Sequence, residues 1–159
     1  MKDCSPLGGS LYNSRQMEII TPNIFVSIHY EAVKNLLSQL TSRPITFTED
    51  DYRNLISSPS SCLMLLCRDG VVVGMLTIGK YQSPTGCKAW IEDVVIDDAY
   101  RGQGLGRRLV AYAIDQACAW DAQTLMLTSN SKRVAANALY RSLGFEMKDT
   151  NVYRMDLNR

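Results

Sequence analysis

Apolar positions recur along this chain with two different periods, and the switches between them mark its elements. Gln16–Ile20 reads as a short strand, punctuated by Pro22-Asn23. From Ile28 to about Leu40, Val33, Leu36, Leu37 and Leu40 have helical spacing, and Thr41-Ser42-Arg43-Pro44 closes that helix. A second helix is announced by Thr48 as N-cap, Asp51 three residues on and acidic residues in its first turn, and it ends at Ser57-Ser58-Pro59. Ser61–Arg68 and Val71–Tyr81 are apolar, β-favouring runs joined by Asp69-Gly70, a hairpin signal. Gln82–Lys88, with Pro84 and Gly86, turns the chain into a third antiparallel strand centred on Trp90–Ile96.

Beyond Asp97-Asp98 the chain turns polar and then glycine-rich. Leu105, Leu109 and Ala113, flanked by Val110, Ile114 and Ala117, form the stripe of an amphipathic helix reaching about Trp120. Thr124–Thr128 is a short buried strand, and Ser129-Asn130-Ser131 leads into a helix carrying Tyr140, with Gly144 suited to its C-terminal cap. Phe145–Lys148 and Val152–Leu157 are expected to form a final pair of strands turned at Asp149-Thr150-Asn151. Residues 1–15, with Pro6, Gly8, Gly9, Ser10 and Asn13, show little periodicity and read as a mobile lead-in to a single domain over residues 16–159.

Composition narrows the function. A chain of 159 residues that is 46% hydrophobic can bury one core. Lys plus Arg, 17, nearly balance Asp plus Glu, 16, so no broad basic field exists to hold nucleic acid or an anionic membrane. No apolar run approaches a membrane span or a signal core, which leads to the expectation of a cytoplasmic protein. Five cysteines without a C-x-x-C pair indicate neither a disulfide framework nor a zinc site, and no metal is expected. His29, the one histidine, has nothing marking it as partner to a cysteine nucleophile.

The segment from Trp90 to Leu109 is therefore strand, glycine loop and helix. Gly102, Gly104 and Gly106 remove side chains where the helix begins, so its first unpaired N–H groups can approach an anion such as phosphate. Spacing excludes two nucleotide sites: a dinucleotide fingerprint needs glycine where Arg107 stands, and the Gly-Lys-Ser/Thr of a P-loop is absent. A glycine-rich helix entry without a ligand is the plain alternative.

Arg101-Gly102-Gln103-Gly104-Leu105-Gly106 resembles the R/Q-x-x-G-x-G/A pyrophosphate loop of the GNAT family of N-acetyltransferases. Ile91–Leu109 is similar to that family's E-D-V-V-V-x-x-x-Y-R-G-x-G-x-G block. Arg133–Tyr140 with Gly144-Phe145 is similar to its A-x-x-L-Y-x-x-x-G-F helix ending. The resemblance implies an α/β GNAT fold, a mixed, strongly twisted sheet of about six to seven strands with helices on both faces. It also implies acetyl-coenzyme A as cosubstrate and direct transfer of the acetyl group to a primary amine through a ternary complex.

Residue by residue, the resemblance places Val94, Val95 and Ile96 along the coenzyme's pantetheine arm and Arg101, Gly102, Gln103, Gly104, Leu105 and Gly106 around its pyrophosphate. Arg107, with Arg108, is in reach of the remaining phosphate or else solvated. Tyr140 stands at the general-acid position for the leaving thiolate; its alternative is aromatic packing. Glu92 is read as the base that takes the amine's proton and Asp93 as its orienter, since strand alternation would set Glu92 with Trp90 and Val94, and Asp93 with Ile91 and Val95. An ion pair with an arginine is the alternative for both. The family's asparagine seven residues before the tyrosine is Arg133 here, so Asn137 or Asn130 is assigned its coenzyme contact, and Arg133, Asn137 and Tyr140 share one helix face.

The first two helices and their connection are implied to form a wall of the acceptor pocket. A small-molecule amine is the leading acceptor class, with an amino sugar phosphate as a minor option and protein or peptide amines as a second. A non-catalytic acyl-coenzyme A sensor is the rival of another class. The resemblance also allows a homodimer.

Overall fold

The computed structural model describes residues 16–41 and 43–157. The expected lead-in, 1–15, lies outside the described residues. Ten elements follow in chain order: β1 (Met17–Ile20), α1 (Ser27–Leu40), α2 (Glu49–Ile56), β2 (Ser61–Arg68), β3 (Val71–Ser83), β4 (Gly86–Ile96), a 3₁₀ turn (Asp98–Tyr100), α3 (Leu105–Ala119), β5 (Thr124–Leu127) and α4 (Val134–Ser142).

The strands form one mixed sheet in sequence order. β1 to β4 are successive antiparallel neighbours, and β5 joins β4 in parallel after the α3 crossover. The Asp69-Gly70 turn adopts φ of 51° and 79°, the positive values a two-residue hairpin of the primed type requires. The turn into β4 is tighter than the sequence suggests: β3 runs on to Ser83, paired with Gly86, so only Pro84 and Thr85 stand outside the ladder.

Both faces of the sheet are covered, which is why β2 reads as a continuous apolar run rather than an alternation. Met64 and Leu66 join Leu105, Leu109, Val110 and Ala113 of α3 in one core, together with Ile91 and Tyr140. Leu63 and Leu65 join Tyr30, Val33 and Leu36 of α1, Tyr52 of α2 and Val95 in the other. Phe25, Tyr30, Phe47 and Tyr52 pack around one another with ring centroids 5.9–6.4 Å apart, which ties the α1–α2 connection to this second core.

The helix signals hold in atomic detail. The Thr48 hydroxyl accepts from the Asp51 N–H at 3.1 Å, and the Asp51 carboxylate accepts from the Thr48 N–H at 2.8 Å, completing a capping box. Among the described residues no helix is long and apolar enough to cross a membrane.

One expectation is overturned. Among the described residues the sheet has five strands rather than six or seven, and residues 145–157 form no strand. Val152–Leu157 has the alternation of a strand, but an isolated run gains a ladder only from a partner. Met147, Val152, Tyr153, Met155 and Leu157 are instead all exposed.

Replacing Thr48 by alanine removes the cap from α2 and should lower stability by about 1 kcal/mol. Urea unfolding should show this as a lower midpoint at unchanged slope.

Candidate active site

The site is built on a break in β4. Opposite β3, Thr77 pairs with Glu92 and Met75 with Val95, so Leu76 alone faces both Asp93 and Val94: a β-bulge, with Asp93 at φ 54°. Aspartate tolerates this left-handed conformation better than most residues. The bulge cancels the expected alternation. Ile91, Val94 and Ile96 belong to the core beneath α3 while Val95 lies in the core beneath α1, so Asp93 does not share a face with both Ile91 and Val95. On β4's other side, pairing with β5 ends at Ile91↔Leu127. From Glu92 to Ile96 that edge has no strand partner among the described residues; the Ile96 carbonyl is taken by the Arg101 Nε–H, and the edge before it is open to an added extended chain.

Glu92 and Asp93 stand at the head of this open edge. Both are exposed as residues, yet partial burial by the surrounding chain pushes both carboxyls above the usual range. Glu92 is raised further by the neighbouring Asp93 and held back by the Trp90 indole, whose buried N–H has no well-formed hydrogen bond. No ion pair between described residues includes either carboxylate, which removes the arginine pairing considered from the sequence.

At the other end of the same edge, the glycine loop is braced from two directions. The Asp97 carboxylate accepts from the Ala99 N–H at 3.0 Å and caps the 3₁₀ turn. Gln39 of α1 donates to Asp97 at 3.0 Å and accepts from the Asp98 N–H at 2.9 Å. Arg101 is held inside the loop, pairing with Asp98 at 2.6 Å and donating to the Ile96 carbonyl at 3.0 Å.

Gly102 and Gly104 both adopt φ 74°, and a Cβ at either would meet nothing within 4 Å, so their surroundings are open space. Gly106 differs: a Cβ there would lie in ordinary contact with Leu139 at 3.5 Å and Ile96 at 3.8 Å, so it faces α4 and β4 rather than open space. Among the described residues no acceptor takes the backbone N–H groups of Gly102 to Arg107, and the first bond of α3 is Arg108 N–H to Gly104 at 3.2 Å. Open space beside a run of unused donors at a helix N-terminus admits a phosphate group. Arg107 and Arg108 point elsewhere, to the Ser142 hydroxyl at 2.7 Å and the Met17 carbonyl at 3.0 Å.

Tyr140 is fixed by how α4 ends. The Phe145 N–H donates to the Tyr140 carbonyl at 3.1 Å and the Gly144 N–H to that of Arg141 at 3.0 Å, with Gly144 at φ 92°. This is a Schellman motif, and the Phe145 ring meets the Tyr140 ring edge-on at 6.0 Å. Tyr140 is buried in the core that holds Ile91, and its phenol is pushed up by burial and partly drawn back by the Arg133 charge on the same helix face. Asn137 is committed locally, its amide donating to the carbonyls of Asn130 at 2.9 Å and Arg133 at 3.0 Å, so it holds the segment entering α4. The sequence reading missed Gln39 and also Arg68, which donates to Gln103 of the loop at 2.6 Å. Both are distant in the chain and carry no local signal.

A family model described as acetyltransferase (GNAT) family matches residues 30–145. Over 78 residues the chain is 33% identical to the L-methionine sulfoximine/L-methionine sulfone acetyltransferase of Salmonella typhimurium, covering 48% of this chain and 46% of that protein. Over 117 residues it is 26% identical to the N-acetylaspartate synthetase of Rattus norvegicus, covering 74% of this chain and 38% of that one. The matched part spans less than half the length of these relatives. Among solved structures, the glucosamine-6-phosphate N-acetyltransferase of Arabidopsis thaliana superposes with a TM-score of 0.74 at 19% identity, covering 88% of this chain and 98% of that one, a likeness of fold alone.

The raised Glu92 carboxyl has a stability consequence. A carboxyl raised on folding favours the folded state fully below its unfolded pKa, near ~4.3, and that contribution is lost as pH rises through the folded value. Glu92→Gln should therefore raise the urea midpoint at pH 7, and the gain should disappear as the pH falls to about 4. A pH-independent difference would contradict the assignment.

Proposed function

We propose, since this chain belongs to the acetyltransferase (GNAT) family, that it moves an acetyl group from acetyl-coenzyme A to a primary amine of a small molecule within a ternary complex. The observation that carries this reading is the open edge of β4, with two carboxylates and a bulge at one end and an unfilled phosphate cradle at the other. About four strand residues separate Asp93 from Asp97, roughly 13 Å of backbone to which an extended arm can add like another strand.

When bound, the coenzyme supplies an acetyl thioester, whose leaving group is a thiolate. Gly102 to Gly106 would hold its pyrophosphate on their unused N–H groups, and the free backbone of Val94 and Val95 would receive the arm, the Ile96 carbonyl being taken by Arg101. An N–H at the bulge is suited to steadying negative charge on a carbonyl oxygen.

Glu92 takes the proton of the alkylammonium acceptor. Its raised carboxyl is a stronger base than an ordinary glutamate and, above its pKa, still ionised. Asp93, held by the bulge beside it, orients the amine. Tyr140 donates its phenol proton to the departing sulfur. A covalent acyl-cysteine is disfavoured at Cys62 and Cys67, whose thiols burial pushes up, away from the reactive thiolate.

Thiol release from acetyl-coenzyme A, measured across amino acids, methionine sulfoximine, amino sugars and their phosphates, polyamines and lysine peptides, should give turnover with a small amine. Coenzyme binding without turnover on any amine would favour the sensor reading. With an acceptor in hand, Tyr140→Phe should lower kcat on the order of 100-fold and leave coenzyme affinity nearly unchanged. The acid limb of the kcat/KM profile should lie above the usual glutamate range and disappear in Glu92→Gln; unchanged turnover in either variant would remove that residue's role.

A further inference from the structure

The loop's own arginine is already engaged. Arg101 pairs with Asp98 at 2.6 Å and spends its Nε–H on the Ile96 carbonyl, so most of its charge is answered within the protein. Arg107 and Arg108 are turned onto Ser142 and Met17. Backbone donors would thus have to hold a doubly charged pyrophosphate alone, and neutral donors bind an anion less strongly than a charged one does.

A fourth arginine alters that balance. Arg68, the last residue of β2, reaches across to the loop, donating one guanidinium N–H to the Gln103 side-chain oxygen at 2.6 Å and lying over the Tyr100 ring at 5.7 Å from its centroid. No carboxylate among the described residues pairs with it. The two contacts hold the guanidinium beside the loop while leaving most of its five donors and its full charge unspent. Gln103 stands between Gly102 and Gly104, the two positions open to a ligand. We infer that Arg68 is a phosphate-binding residue, supplying to the glycine loop the cation that Arg101 does not, and that Gln103 and Tyr100 hold it in place. The inference rests on the coenzyme reading of the loop and specifies the pyrophosphate, not the 3′-phosphate, as the group Arg68 meets.

Equilibrium binding by calorimetry tests it with coenzyme A, with dephospho-coenzyme A, which lacks the 3′-phosphate, and with pantetheine, which lacks the pyrophosphate and the adenosine 3′-phosphate beyond it. Arg68→Met should weaken coenzyme A and dephospho-coenzyme A equally, by about tenfold or more, and leave pantetheine unchanged. Arg68→Lys should recover part of the loss, and Gln103→Ala should show a smaller loss than Arg68→Met. Undiminished binding of coenzyme A by Arg68→Met would overturn the inference. So would a loss that extends to pantetheine, or one confined to coenzyme A. Should the unaltered protein bind no coenzyme A, the coenzyme reading itself falls; its binding coenzyme A while Arg68→Met binds as well leaves that reading standing and removes only the role of Arg68.

Discussion

The constraint on which the rest depends is that β4 cannot be an ordinary strand along its whole length. Its first half is a central strand, paired on both sides and buried under α3; its second half keeps only β3. The extra residue at Asp93 marks the change, and by shifting the alternation it sends Val94 and Ile96 into one core and Val95 into the other. Both cores therefore anchor the unpaired half. Exposed backbone on a free strand edge is ordinarily a hazard of mispairing. Here it is short, bulged and flanked by carboxylates, features that blunt such mispairing.

How much of this was legible follows from how local each signal is. The Asp69-Gly70 hairpin, the Thr48–Asp51 capping box and the Gly144-Phe145 helix ending are each written within six residues, and each is found with the geometry its residue types require. The glycine loop was legible for the same reason, although sequence could not distinguish the two glycines that border open space from Gly106, which packs against Leu139. What escaped is non-local or permissive. Aspartate is an admissible but unforced choice at positive φ, so nothing at Asp93 announces a bulge. Gln39 lies 58 residues from Asp97, and Arg68 lies 35 from Gln103; only the sheet order brings them together. In residues 145–157 the error ran the other way, since a strand-like alternation says nothing about whether a partner strand exists.

The electrostatics of the two ends of the open edge are opposed, and the opposition suits the chemistry. At the bulge, two carboxylates sit side by side without a cation, so each ionised charge is worse off than in the unfolded chain and the fold carries that cost at neutral pH. At the loop, the unused N–H groups of a 15-residue helix present positive partial charge to open space. An anionic ligand at the loop relieves one imbalance and an ammonium group at the bulge relieves the other.

Gln39 couples the loop end of this edge to α1. Its amide both donates to Asp97 and accepts from the Asp98 N–H, so the exit of β4 is clamped to the last turn of α1. The same helix reaches the Phe25–Tyr30–Phe47–Tyr52 aromatic group through Tyr30. A displacement of the α1–α2 connection is thus felt at the strand end from which the glycine loop hangs. Interlocked aromatic packing resists graded movement, because rings in close contact shift together or not at all. The aromatic group and the exit of β4 are thus joined through one helix, α1, with Tyr30 near one end and Gln39 at the other.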